Sequence, residues 1–249
     1  MHIFKADLHV HTVLSPCAEV EMIPPLIVEE AISKSIDIIA ITDHNSISNI
    51  ESVQKAAKHT EIKIIPGIEI QTKEEIHSLC LFNSLSNCKK FFSEIETFFP
   101  TKKNKPEIFG EQFIVDHTGK FIARENQLLI SSVNISLEKA FDLTKKYNGL
   151  FIPAHIDNKT FGMIGHLGII PGSIKFDALE ISKNLHIDDT ELIFKNPLAI
   201  PIIKNSDSHQ LSDLYGYNHF YLNTPSLHEI SLALYNRYDR SYKVNKRCL

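Results

Sequence analysis

The sequence predicts an α/β chain whose parallel sheet is closed, or nearly closed, into a barrel. Three observations predict it. Apolar runs rich in β-branched residues alternate with helical patterns along most of the 249 residues. Several runs are apolar almost throughout, as in strands covered on both faces. Histidines and acids stand where those runs stop, and the strand ends of such a barrel gather at one mouth.

The elements follow in order. "IFKADLH" is the first strand. "IPPLIVEEAISKS" is a helix with proline in its first turn. "IDIIAITDH" is the second strand, and "SISNIESVQKAAKH" a helix with Ser46 or Ser48 as N-cap. "IKIIPGIEI" and "HSLCLF" are the third and fourth strands, and "SNCKKFFSEIETFF" is an amphipathic helix ending at Pro100. Residues 101–135 break the rhythm. There "EQFIVDHTGKFIA" predicts a hairpin turning at His117–Gly119, inside an insertion within one domain spanning 1–249. Helix "SLEKAFDLTKKYNG" follows, with Gly149 suited to the C′ position. Strands "LFIPAH", "FDALEIS" and "AIPIIKNSDSH" complete the set.

One connection departs from the parallel pattern. The link "QTKEEI" between the third and fourth strands is shorter than the dozen or so residues a parallel crossover needs. These strands are therefore expected to be antiparallel, which places His77 beside Glu69.

Bulk properties narrow the function. The net charge of −4 argues against a dedicated nucleic-acid binder and a stable nucleic-acid complex. It leaves room for a small phosphorylated substrate or a nucleotide held by metal ions. No run of about 18 apolar residues offers a membrane span, and "MHIFKADLHV" lacks the layout of a signal peptide. Cys17, Cys80, Cys88 and Cys248 have no paired spacing. A reduced, cytoplasmic protein is the expectation.

The chemistry collects at strand ends: Asp7, His9 and His11; Thr42, Asp43 and His44; Glu69; His77; His155; Asp207 and His209. In an extended chain residues two apart share a side, so His9 pairs with His11 and Asp207 with His209. Ionisable groups beside buried apolar sequence are costly unless paired or bound to metal. The donors are nitrogen and oxygen, which suits zinc, iron or manganese. There are too many for one tetrahedral ion, so two or three divalent cations are expected. His2, His59, His117, His186, His219 and His228 read as ordinary polar residues, and His166 as a loop residue.

Taken together, "DLHVHTVLS", "AITDHN", "PGIEI", "IHSLCLF", "PAHI" and "SDSH" resemble the PHP family, the polymerase and histidinol phosphatase superfamily, in its small stand-alone form. The resemblance spans residues 7 to 209. It implies a distorted TIM-like (β/α)7 barrel and metal-dependent phosphoesterase activity on a phosphate monoester or a nucleotide or oligonucleotide diester. It also implies a ligand set. His9, His11, Glu69 and Asp207 hold a first ion; Glu69 bridges to a second, completed by His77 and His155; His44 and His209 hold a third. The family often adds an aspartate to that third site, in an "HTxxSDG" pattern. This chain has "PCAEVEMIP" after Ser15. Counting back from Pro24 puts Glu19 at the aspartate position, with Glu21 and Cys17 as rivals.

The expected mechanism follows. Two ions about 3.5–4 Å apart share and acidify a water that attacks phosphorus in line. The third, with His44 and His209, stabilises charge on the phosphate. Asp207 is a ligand that can also take the nucleophile's proton, while Asp43 and Asp7 orient ligand histidines from behind. Arg124 and Lys159 are candidate phosphate-binding cations, and the insertion a lid. Two other readings stand beside this one: an amidohydrolase-like metal hydrolase, with Lys204 near a strand end, and a catalytically silent, metal-stabilised regulatory module.

Overall fold

The chain is organised on β1 (His2–Val10), exposed at its start and buried from Ala6 onward. The computed structural model describes residues 1–245. The second half of β1 pairs in parallel with β2 (Ile38–Ile41), and β2 with β3 (Lys63–Gln71). The crossovers carry α1 (Pro24–Ser33), which opens on proline, and α2 (Ile50–Ala56). The N-cap of α2 is Asn49, not Ser46 or Ser48. Those hydroxyls face each other at 3.3 Å, and the Asn49 side chain bonds instead to Phe113 O and Val115 N.

β4 (His77–Leu81) runs antiparallel to β3, with Gln71 opposite His77 and Glu69 opposite Leu79. The short link allows nothing else. α3 (Leu85–Ile95) starts at Ser84, whose Oγ accepts from Asn87 N at 3.2 Å. The 101–135 stretch contains α4 (Pro106–Phe109) and a hairpin of β5 (Phe113–Val115) and β6 (Phe121–Arg124). It is tied to the mouth-side loops: Phe113 N bonds Val13 O at 3.2 Å, and Asn45 Nδ2 reaches Leu129 O and Ser131 O.

α5 (Leu137–Lys146) is capped by Ser136 and leads into β7 (Leu150–Pro153), antiparallel to β4. At its end Asn148, not Gly149, takes the left-handed conformation, with φ +54°. Gly149 is needed for a different reason. A Cβ there would stand 2.8 Å from Leu81 O, Phe82 Cε1 and Thr144 Cγ2.

After α6 (Met163–Leu167) come β8 (Leu179–Ile181), α7 (Thr190–Ile193) and β9 (Ile202–Lys204), which is parallel to β8. Asp177 N to Phe151 O and Ile156 N to Glu180 O join β7 to β8. His11 N to Ser208 O and Ser208 N to His9 O join the segment after β9 to β1. The strands thus curl into a distorted TIM-like barrel. Two further strands had no counterpart in the sequence pattern. β10 (Asn218–Leu222) lies antiparallel along the first half of β1, and β11 (Ser241–Val244) flanks it, with α8 (Leu227–Leu234) between them in the chain. Among the described residues, no helix is long and apolar enough to cross a membrane.

Side-chain parity separates two cores. Leu8, Ile38, Ala40, Ile65, Leu79, Ile152, Ala178 and Ile203 fill the interior. Val10, Ile39, Ile68, Ile70, Leu179 and Ile181 face the helices. In β1 the pairing with β2 is irregular between Asp7 and Val10. Such an irregularity switches the alternation of faces, and Leu8 packs with the inner cluster while Val10 packs with the outer one.

Candidate metal centre

At the mouth of this barrel His9, His11, His44, His77, His155 and His209 gather around Glu69 and Asp207. His9 Nε2 lies 3.3 Å from Glu69 Oε1 and 3.2 Å from Asp207 Oδ1. His11 Nε2 lies 3.5 Å from Glu69 Oε2 and 3.2 Å from Asp207 Oδ1. His77 Nδ1 and His155 Nε2 approach Glu69 Oε1 at 3.0 and 3.3 Å. His44 Nδ1 approaches Glu69 Oε2 at 2.7 Å. The ring of His209 stacks on that of His11, with centroids 4.1 Å apart. His2, His59, His117, His166, His186, His219 and His228 belong to none of the ligand groups found among the described residues.

Access is graded. His9, His11 and Glu69 are buried at the floor, whereas the side chains of Asp207 and His209 are 33% and 26% exposed. Two site residues have left-handed backbones, His155 with φ +29° and Asp207 with φ +50°. The extended spacing expected for Asp207 and His209 is therefore not what unites them. β9 ends at Lys204, and a turn at Asp207 brings His209 Nδ1 within 3.0 Å of Asp207 O.

The supporting contacts fix the imidazole tautomers. His9 Nδ1 donates to Glu180, with the two oxygens at 3.0 and 3.1 Å. His11 Nδ1 donates to Ser15 Oγ at 2.9 Å, and Ser15 Oγ donates to Asp43 Oδ1 at 2.8 Å. Each Nε2 then carries its lone pair inward, and the two face each other at 3.1 Å. Such a pair needs a cation between its lone pairs, either a proton or a metal. His155 Nδ1 is buried without a hydrogen-bond partner among the described residues, and Glu69 Oε2 is met only by the rings of His44 and His11. The donor set thus fits divalent metal.

The electrostatics of the metal-free cluster agree. Burial draws the His9 imidazole down, but Glu180, Asp207 and Glu69 together hold it well above its ordinary value. Burial and the neighbouring His209 and His44 keep His11 well below. Burial works against ionisation of Glu69 too, yet the surrounding histidines hold its carboxyl well below the usual range. A cation entering between these rings replaces the His9 proton.

Asp43 is buried behind the site; it accepts from Thr12 N, Thr12 Oγ1 and Ser15 Oγ and so reaches the His11 ring through Ser15. Several other expectations need correction. Asp7 orients no ligand ring; its carboxylate accepts from the N–H groups of Ser206 and Tyr215. Glu19 is exposed, and its contribution here is a backbone N–H to His209 O at 2.8 Å. Cys17, two residues before it on the same loop, is exposed as well. Arg124 is paired with Glu111 and lies over Phe113 and Phe121 on its own hairpin.

Two contributors escaped the sequence reading. Glu180 also accepts from His155 N and Asn205 Nδ2. Its signal was present: a lone acid between Leu179 and Ile181, whose outward packing turns it inward. Phe161 stacks on His77 at 4.5 Å and is 37% exposed. Nothing in its local sequence marks it.

Comparison with known proteins is consistent with this picture. A 5'-3' exoribonuclease of Haemophilus influenzae is 34% identical over 71 residues. That stretch is 28% of this chain and a quarter of that enzyme's length. The lesion-specific endonuclease PfuEndoQ from Pyrococcus furiosus has the same fold, with TM-score 0.74 at 20% identity. The likeness covers 97% of this chain and 58% of that one. A protein from Bifidobacterium adolescentis assigned as a metal-dependent phosphoesterase matches with TM-score 0.56 at 15% identity, over 82% of this chain and 87% of that one. The PHP domain profile matches residues 7–170, well over half of the sequence, and the chain belongs to the PHP domain family.

Proposed function

We propose that the protein is a metal-dependent phosphoesterase whose substrate is the phosphodiester of a nucleotide or oligonucleotide. The observation that carries the reading is the inward pair of His9 and His11 lone pairs, 3.1 Å apart against Glu69 and Asp207. In this reading His9, His11, Glu69 and Asp207 hold one cation. Glu69 is shared with a second, held also by His77 and His155, and His44 and His209 serve a third. When bound, such cations supply an acidified water and neutralise charge on the phosphate.

The chain's own residues do the rest. Glu180, and Asp43 through Ser15, hold the His9 and His11 rings in the required tautomer. Asp207 turns Oδ1 toward His9 and His11 and is partly open to solvent, so its second oxygen can take a proton from the attacking water. His209 stands at the open side to meet the phosphate. Phe161 offers an exposed ring beside His77 on which a base can stack. The nuclease names of two relatives favour an oligonucleotide over a sugar phosphate, and net charge −4 accords with turnover rather than lasting retention of nucleic acid.

The amidohydrolase reading needs a metal-bridging lysine. Lys204 is committed elsewhere, donating to Leu185 O at 3.0 Å and lying 4.8 Å from the centre of the Tyr217 ring. A silent regulatory module would not require so complete a ligand set. The test is a panel of nucleotides, single-stranded oligonucleotides and simple phosphate monoesters, with amides and lactones alongside, on protein stripped and reloaded with zinc, manganese or iron. Turnover of phosphate esters that chelator, His9→Ala and Asp207→Ala each abolish is the expected result. Hydrolysis confined to amides or lactones, or none with any metal, overturns the reading.

A further inference from the structure

Phe161 meets the site through a flat apolar ring rather than a charge. The ring lies on that of His77, with centroids 4.5 Å apart and planes 15° from parallel. His77 covers one face, so the exposed surface of Phe161 belongs to the opposite face and the rim. Among the described residues no second aromatic ring stacks on it.

A lone exposed phenylalanine needs no explanation by itself. What sets this one apart is how it is held. Asn158 Oδ1 accepts from Thr160 N at 2.8 Å and from Phe161 N at 3.3 Å. Phe161 O accepts from His77 N at 3.1 Å, where β4 begins. Gly162 lets the chain turn back on itself directly afterwards: a Cβ there would stand 2.3 Å from Asn158 O and 2.7 Å from His155 O. Ile164 N then bonds Ile156 O at 3.0 Å. The ring therefore keeps a set place beside His77, whose Nδ1 is 3.0 Å from Glu69 Oε1.

We propose that Phe161 is a one-sided stacking platform that determines specificity. It takes the unpaired base of a nucleotide joined to the scissile phosphate, so the enzyme acts on single strands and strand ends rather than on paired duplex. The proposal deepens the phosphodiester reading above and rests on it. A base inside a duplex has both faces covered by its neighbours, and reaches the ring only after losing stacking and pairing. A platform with one free face holds a single base. Every base has a π-face, so the preference among bases is modest and follows stacking strength, purines ahead of pyrimidines.

The experiment uses the full chain loaded with zinc, manganese or iron, and a dinucleotide in which each base in turn is replaced by an abasic residue. For the wild type, loss of one of the two bases should lower kcat/KM roughly 5–150-fold, the worth of one base on an aromatic ring. Loss of the other should change it little. Phe161→Leu should bring intact and abasic substrates to the same kcat/KM, whatever its absolute rate, and Phe161→Trp should restore the difference. A hairpin with every base paired should be cut more slowly than an unpaired strand of the same composition. A non-hydrolysable dinucleotide carrying a fluorescent purine analogue reads stacking without turnover: the wild type should quench it and Phe161→Leu should not. Equal rates of the wild type on intact and abasic dinucleotides, base dependence that survives Phe161→Leu, or paired and unpaired strands cut alike overturns this inference alone. The wild-type comparisons stand if a variant fails to fold. Absence of hydrolysis of any phosphate ester overturns the phosphoesterase reading; quenching that Phe161→Leu abolishes then still upholds the platform, and absence of quenching sinks both.

Discussion

Glu180 grips His9 with both carboxylate oxygens, at 3.0 and 3.1 Å from Nδ1, from β8, which β9 separates from β1. It also accepts from His155 N, so one acid fixes the ring of His9 and the backbone of His155. Glu180→Gln replaces one acceptor by a donor that must face His9 Nδ1–H together with either His155 N–H or Asn205 Nδ2. Metal affinity should fall about 10–100-fold with the fold intact. Competition with a chelator of known affinity, beside circular dichroism, checks both parts.

Arg124 is spent on its own hairpin, 5.5 Å from the centroids of Phe113 and Phe121 and 2.9 Å from Glu111. Arg124→Ala should cost less than about 1 kcal/mol of stability, because the pair is half exposed. KM for a phosphate ester should not change. Lys159, exposed in the loop after His155, keeps the expectation of a phosphate contact, and Lys159→Ala should raise KM with kcat held. Steady-state kinetics on the two variants separates the cations.

Gly149 joins α5 to β7 where a Cβ would meet two side chains and the Leu81 carbonyl at 2.8 Å. Gly149→Ala should destabilise by about 1–3 kcal/mol, the range for overpacking. Asn148→Gly should be tolerated, since glycine readily takes φ +54°. Urea unfolding of both variants tests the division of labour.

Glu229 on α8 is held by the Arg240 guanidinium, at 2.9 Å on each oxygen, and by Asn223 N, which keep its carboxyl below the ordinary range. A depressed folded value means that the unfolded chain binds the proton more readily. The stabilisation is therefore present above the unfolded glutamate pKa and disappears as pH falls through the folded value. Glu229→Gln should lose roughly 1 kcal/mol at neutral pH. The gap to wild type should close on acidification, in thermal melts at a series of pH values.

How much of this was legible in the sequence depended on whether the signal was local. The five residues between Gln71 and His77 were enough to set β4 antiparallel and bring His77 to Glu69, because chain length alone forbids the alternative. The strand-end histidines were legible because they interrupt apolar runs. Glu180 was overlooked for want of tracking which side of β8 packs outward. Pairing Asp207 with His209 by extended spacing used the wrong local geometry, since the chain has left the sheet by then. β10 went unseen because its place beside β1 is a long-range pairing with no mark in "NHFYL".

The left-handed backbone at Asp207 constrains what natural variation can place there. At φ +50° asparagine, aspartate and glycine are accommodated readily, while a β-branched or bulky replacement is penalised. Of the tolerated three, aspartate alone brings a negative charge to the rings of His9 and His11. The swap to glutamate, harmless at many surface positions, is here a poor exchange on steric grounds before any chemistry is considered. A deep mutational scan should find this among the least permissive codons in the gene, even for changes that preserve charge.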